Sequence, residues 1–291
     1  MKFKMSINGV AVLRLLSKLI LLIMFAAPLA ALTAPAPATA ETNVVLASTT
    51  STENTGLFKV LIPAYYKWTK LKDVRIHVVA VGTGKAIEIA KRGDADLLLV
   101  HDRVKEDAFV KAGYGVDRRN VMYNDFIITG PKNDPAGVKS AKSAAAAFKK
   151  IAASGSVFVS RGDESGTEAR EKILWKAAGL EVPVKNYLSV GQGMEETLRI
   201  ADEKQAYTLS DRSTYRTLLD RLKYTTILYQ GDPGLFNQYG TIAVNPEKFP
   251  HTHYKEAEDF MNFITGPDGQ KVIGNYEDKT GTKLFFPDAA K

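Results

Sequence analysis

The chain has 291 residues, a formal net charge of +7, 45% hydrophobic residues and no cysteine. The missing thiols exclude disulfides, thiol catalysis, Cys-based metal sites and a lipidated N-terminal cysteine. Part of the charge is local: removing Lys2, Lys4, Arg14 and Lys18 takes the net from +7 to +3, and no basic stripe with interleaved aromatics follows to suggest nucleic acid.

Those four cations precede an apolar core from Leu19 to Leu32, and Ala38-Thr39-Ala40 offers a small-x-small cleavage site before Glu41. The pattern predicts a cleavable secretory signal peptide over 1–40, with a soluble, periplasmic mature protein of 251 residues. An uncleaved anchor is the poorer reading, because Pro28 interrupts the apolar run. No later segment approaches the length of a membrane span.

From there short apolar runs alternate with amphipathic stretches. Strands are predicted at Val44–Ala47, Val74–Val81, Asp96–His101, Phe126–Thr129, Val157–Ser160, Ala206–Ser210, Thr225–Tyr229 and Gly240–Val244. Helices are predicted at Asn54–Lys70, Gly84–Arg92, Lys105–Ala112, Ser140–Ala153, Thr167–Ala178, Met194–Glu203, Ser213–Leu222, His253–Thr265 and Asp268–Tyr276. Pro63 should kink the first of these. The alternation argues an α/β class with largely parallel sheets. Asn124-Asp125-Phe126 and Asn237-Gln238-Tyr239-Gly240 read as two crossovers. They predict one lobe from 43–124 plus 237–291 and a second from 125–236.

Three strand-to-helix junctions are rich in donors. The first is Ser48-Thr49-Thr50-Ser51-Thr52, with more hydroxyls than one helix cap needs. The second is Val81-Gly82-Thr83-Gly84-Lys85, which alone reads as a tight turn. The third, Ser160-Arg161-Gly162-Asp163-Glu164-Ser165-Gly166-Thr167, combines glycines for close backbone approach, hydroxyl donors and a forked cation. Helix N-termini present free N–H groups and the positive end of the dipole, and ligands of open α/β sheets sit outside the strand ends. Together the junctions predict a cleft for a small ionised oxyanion. For the third loop alone, a simple Ser165 cap and an adhesion-type Arg-Gly-Asp are rival readings; no Walker loop is present.

A fully deprotonated oxyanion needs only donors, whereas hydrogen phosphate also needs an acceptor. Asp163 is the residue that leaves this open: it could accept a ligand proton, pair with Arg161, or bond its own turn. The structural roles are favoured.

These loops, with Leu99-Val100-His101-Asp102, Tyr123-Asn124-Asp125-Phe126 and Tyr207-Thr208-Leu209-Ser210-Asp211-Arg212, resemble the tungstate-binding substrate-binding proteins of ABC importers over nearly all of the mature chain. The family's Thr-Thr-Thr-Ser appears as Ser48-Thr49-Thr50-Ser51, and its Ser-Arg-Gly-Asp-x-Ser-Gly-Thr is matched in full. The resemblance implies a type II periplasmic-binding-protein fold: two α/β lobes, joined by two crossover strands, closing over tungstate or molybdate in the cleft between them. It implies a ligand shell of Thr50, Ser51, Thr83, Gly84, Arg161, Ser165, Gly166 and Thr167. Ser48, Thr49, Lys85, Asp163 and Arg212 are more peripheral, and Arg161 is expected to discriminate among oxyanions. The implied protein is a monomeric, non-catalytic receptor without cofactor or bound cation, delivering its ion to an inner-membrane ABC permease. The alternatives are a phosphate or sulfate receptor of the same fold and a secreted phosphate- or sulfate-ester hydrolase. For the hydrolase, no nucleophile elbow, local triad or metal cluster is apparent. His251-x-His253 reads as surface loop, and His101-Asp102 as a helix cap or hinge element.

Overall fold

The computed structural model describes residues 41–182 and 184–289. The signal peptide expected over 1–40 lies outside the described residues. No helix among the described residues is long and apolar enough to cross a membrane.

The larger part of the architecture is a sheet in the order β10-β4-β9-β3-β1-β2. Its strands are β1 (Thr42–Thr49), β2 (Val74–Val81), β3 (Leu97–Val100), β4 (Gly115–Pro131), β9 (Phe236–Val244) and β10 (Phe286–Pro287). β1 is parallel to both β2 and β3, with Leu46 opposite Val78 and Leu97. β3 against β9, β9 against β4 and β4 against β10 are all antiparallel.

Alternation along the strands feeds two cores, so side chains of successive residues leave on opposite faces. Val44, Leu46, Leu97 and Leu99 pack with Phe58, Leu61 and Tyr65 of α2 (Phe58–Trp68), Phe260 and Phe263 of α9 (Tyr254–Thr265), and Ile273 of α10 (Pro267–Gly274). Ala47, Leu98, Val100 and Ile242 pack with Ala86, Ile87 and Ala90 of α3 (Thr83–Lys91) and Phe109 of α4 (Arg103–Lys111).

The second part is built on the far end of β4. Between Asp125 and Phe126 its pairing changes: Asp125 faces Phe236 of β9, and Phe126 faces Asp211 of β7 (Thr208–Asp211). β8 (Thr225–Tyr229) also pairs with β4. β5 (Phe158–Ser160) pairs in parallel with β6 (Tyr187–Ser189), and Val159 donates to the Tyr207 carbonyl at 2.8 Å. One face is covered by Phe148 and Ile151 of α5 (Ala144–Ser154) and Leu174 and Trp175 of α6 (Gly166–Ala177). The other is covered by Met194 and Leu198 of α7 (Met194–Glu203) and Tyr215 of α8 (Arg212–Thr217).

Several expectations change. The sheets are not largely parallel, because β4 and β9 run antiparallel to their neighbours while carrying the chain between the two parts. The predicted helix Asn54–Lys70 is two helices, α1 (Thr50–Asn54) and α2, separated by Gly56 at φ +81°. Pro63 sits inside α2, which continues through it as one helix to Trp68. Strand β4 begins eleven residues before the predicted Phe126 start.

Candidate functional site

Each junction is a strand handing its chain to a helix N-terminus. Thr49 caps α1, accepting the Thr52 N–H at 3.3 Å, and its Oγ1 lies 3.2 Å from Ser51 Oγ and 2.8 Å from Thr52 Oγ1. Ser48 donates to the Leu99 carbonyl at 2.7 Å. Ser48 and Thr49 are therefore spent on holding the loop, Ser51 shares a contact with Thr49, and Thr50 is the hydroxyl of this junction that reaches another loop. Gly82 caps α3, placing Thr83 and Gly84 in its first turn. Ser165 caps α6, its Oγ accepting the Glu168 N–H at 3.2 Å, with Gly166 and Thr167 following.

The three loops meet. Gly84 N–H donates to the Glu164 carbonyl at 3.1 Å, and Lys105 Nζ reaches the same oxygen at 3.1 Å. Arg161 Nη2 lies 3.3 Å from Thr50 Oγ1. A Cβ on Gly82 would stand 2.8 Å from the Asp163 carbonyl oxygen, and one on Gly166 2.8 Å from the carbonyl of His101. Bare backbone at these positions is what allows so close an approach.

Arg161 is 2% exposed, an unusual state for a guanidinium. Its Nη2 bonds Asp163 Oδ2 at 2.5 Å, while Nε and Nη1 are buried without partners. Thr83 Oγ1 and Thr167 Oγ1 are likewise buried and unpartnered. Buried polar groups are almost always satisfied, so this set of orphaned donors at two helix N-termini marks a place for a ligand's acceptors. Asp163 is already committed: Oδ2 to Arg161 and Oδ1 to the Ser165 N–H at 3.3 Å. Gly162, in the middle of the Arg-Gly-Asp, has φ +61°, and the buried Arg161 makes an adhesion role untenable.

Two expected peripheral residues lie elsewhere. Lys85 is solvent-exposed. Arg212 forms a two-pronged pair with Asp125, both contacts 2.6 Å, fastening α8 to the point where β4 changes partners. His251 bonds the Gly93 carbonyl at 2.9 Å and the His253 N–H bonds Asp96. No group of three or more potential metal ligands occurs among the described residues.

Reasoning from sequence did not assign the buried relay beside the loops. Asn237 Nδ2 donates to Asn124 Oδ1 at 2.6 Å, Asn124 Nδ2 to Ser213 Oγ at 2.6 Å, and Ser213 Oγ to the Leu284 carbonyl at 2.6 Å. Asn237 Oδ1 is thereby left as acceptor for His101 Nδ1, 2.9 Å away, so Nδ1 carries the proton and the unpartnered Nε2 presents a lone pair. Burial pushes the His101 imidazole down to about 4, opposed by the Asn237 bond and assisted by Arg161. Asp102 caps α4, as the cap reading of His101-Asp102 expected. An apolar groove of about 590 Å³ lined by Trp68, Phe263 and Tyr276 lies apart from these loops and lacks their hydroxyl donors.

The family model described as the PBP superfamily domain matches residues 36–268. The chain belongs to the PBP superfamily. Relatives within it are close. The chain is 43% identical over 255 residues to the tungstate-binding protein TupA of Peptoclostridium acidaminophilum, covering 87% of this chain and 88% of that one. Among solved structures, the tungstate ABC transporter protein of Geobacter sulfurreducens shares 48% identity, with a TM-score of 0.74 over 81% of this chain and 100% of the other. TupA of Desulfovibrio alaskensis shares 45% identity, with a TM-score of 0.71 over 86% and 100%. The type II periplasmic-binding-protein fold expected from the sequence is therefore the fold of this PBP superfamily member.

Proposed function

We propose that this protein is an extracytoplasmic receptor for tungstate, with molybdate as a second ligand, serving an ABC importer. The observation that carries the reading is the set of buried, unpartnered donors on Arg161, Thr83 and Thr167 around two helix N-termini, beside an Asp163 whose oxygens each already accept a hydrogen bond. Such a set suits a small oxyanion that arrives without a proton. The named relatives bind tungstate, which supports this ion over others of similar shape.

Thr50, Ser51, Thr83, Gly84, Arg161, Ser165, Gly166 and Thr167 supply the shell, and Asp163 orients Arg161. The lobes are 43–124 plus 237–291 and 125–236, a division supported by the switch of β4 pairing at Asp125/Phe126 and by the separate hydrophobic cores. Closure brings Gly84 and Lys105 onto the Glu164 carbonyl, and a membrane permease reads the closed form. The cleft performs no chemistry, and the protein works as a periplasmic monomer.

Calorimetry of the mature protein against tungstate, molybdate, sulfate and phosphate tests the reading. Binding of the first two at least about a hundredfold tighter, a gap near 3 kcal/mol, is expected. A response to phosphate alone would overturn it.

A further inference from the structure

Asp211 ends β7 and caps α8, and nothing above uses it. Its Oδ1 accepts the Thr214 N–H at 2.8 Å. Oδ2 is fully buried and has no hydrogen-bond partner. The ionisable groups whose charges act on it, or on which its charge acts, are Arg161, on the loop after β5, and Tyr239, on β9. Arg212, next in sequence, is turned into its pair with Asp125. Burial pushes the Asp211 carboxyl above the usual range, opposed by the Thr214 N–H, the Thr214 hydroxyl and then Arg161.

The charges can be counted. Arg161 contributes one positive charge, and Asp163, bonded to its Nη2, cancels it. An ionised Asp211 would leave this buried set negative before any ligand arrives. A dianion placed on the free Nε and Nη1 of Arg161 would add two further negative charges where water is excluded, and like charges in such a place drive one group to take a proton.

We propose that Asp211 is the proton-linked residue of the site: the oxyanion is captured together with one proton, which the Asp211 carboxyl holds in the complex. The proton comes from solvent and no covalent bond to the ligand forms. The inference rests on the oxyanion-binding reading above. A neutral carboxyl offers an O–H where an ionised one offers only acceptors, so the proton also adapts the site to a ligand that has no hydrogen to give.

The test is calorimetry with sodium tungstate in buffers of differing ionisation enthalpy, between about pH 6.5 and about pH 9. The wild-type protein should take up a fraction of a proton rising towards one, and its affinity should fall by up to about tenfold per pH unit at the alkaline end. Asp211→Asn keeps a side-chain oxygen for the Thr214 N–H, and asparagine caps helices well. It should bind without proton uptake and with affinity flat in pH. Buffer-independent heats in the wild type would overturn the proton link while leaving tungstate binding in place, and that measurement does not depend on the variant folding. Unchanged uptake in Asp211→Asn would also overturn it. Absence of tungstate binding in the wild type would overturn the receptor reading and this one together.

Discussion

Replacing Arg161 is the sharpest perturbation of the site. Its Nη2 is engaged by Asp163 and Thr50, which leaves Nε and Nη1 as buried donors without partners. Hydrogen bonds to a charged partner contribute about 1.5–3 kcal/mol each. Two of them give roughly 3–6 kcal/mol, or a loss of about a hundredfold to ten-thousandfold in tungstate affinity for Arg161→Ala. The same change strips Asp163, only 12% exposed in its side chain, of its cation. Some loss of stability must follow, because breaking a buried pair leaves an uncompensated charge. Placing Arg161→Ala in an Asp163→Asn background removes that complication, since asparagine can still accept the Ser165 N–H. Titration calorimetry on wild type, both single variants and the double variant then separates ligand contact from repair of the loop. The reasoning is refuted if the double variant binds tungstate within about threefold of Asp163→Asn alone, a difference below 1 kcal/mol.

Gly82→Ala would set a Cβ 2.8 Å from the Asp163 carbonyl oxygen, although the backbone at Gly82, φ −67° and ψ 150°, accepts any residue. Overpacking of this kind costs about 1–3 kcal/mol. It should appear as a roughly fivefold to hundredfold loss of affinity by calorimetry, and unchanged affinity would show that the loops need not approach so closely. Glu171, buried on α6, accepts from Tyr187 OH at 2.7 Å and Trp175 Nε1 at 3.1 Å, and burial raises its carboxyl to about 7. A raised folded-state value means that its contribution is fully present below the unfolded value near 4.3 and is lost as pH rises through about 7. Glu171→Gln should therefore gain on the wild type as pH rises across that window, by an amount on the order of 3 kcal/mol. Denaturant melts from about pH 4.5 to about pH 8 would show a constant difference if the reasoning is wrong.

What could be read from the sequence is what local chemistry determines. Ser165 and Thr49 cap helices because a side-chain oxygen two or three residues ahead of a free N–H is a local event. The Ser160–Thr167 loop was legible for that reason, and so were the helices α7 and α9 with their strong apolar faces. Strand β4 was missed over Gly115–Asp125, where polar residues dominate, Asp117 takes φ +55° and register shifts break the alternation. Its partners lie more than a hundred residues away, and a window along the chain cannot see them. The same holds for the relay His101–Asn237–Asn124–Ser213, assembled across four separate segments. In the stretch Tyr207–Arg212 the eye falls on the arginine, yet Arg212 points to Asp125, and its neighbour Asp211 is the fully buried charge. The local clue was the pattern Asp211-Arg212-Ser213-Thr214, an acidic cap at a strand end, which forces the aspartate inward whenever the strand is buried.

The choice between phosphate and a fully ionised oxyanion therefore passes from Asp163 to Asp211. Recognition of hydrogen phosphate requires an acceptor facing the ligand, and an ionised carboxylate is the strongest one a side chain offers. Each oxygen of Asp163 already accepts one bond, Oδ2 from Arg161 and Oδ1 from the Ser165 N–H, which holds its carboxylate in its own turn. Asp211 retains a free oxygen, but Arg161 acts on it by charge without touching it, and an ionised Asp211 and a dianion would both draw on that one charge in a region closed to water. A neutral Asp211 ends that competition and turns one of its oxygens into a donor. Discrimination against phosphate then rests on the balance of charge and donors: with Arg161 already matched by Asp163, protonating Asp211 lets the cleft take a dianion and adds a donor, which favours a ligand with no hydrogen to give.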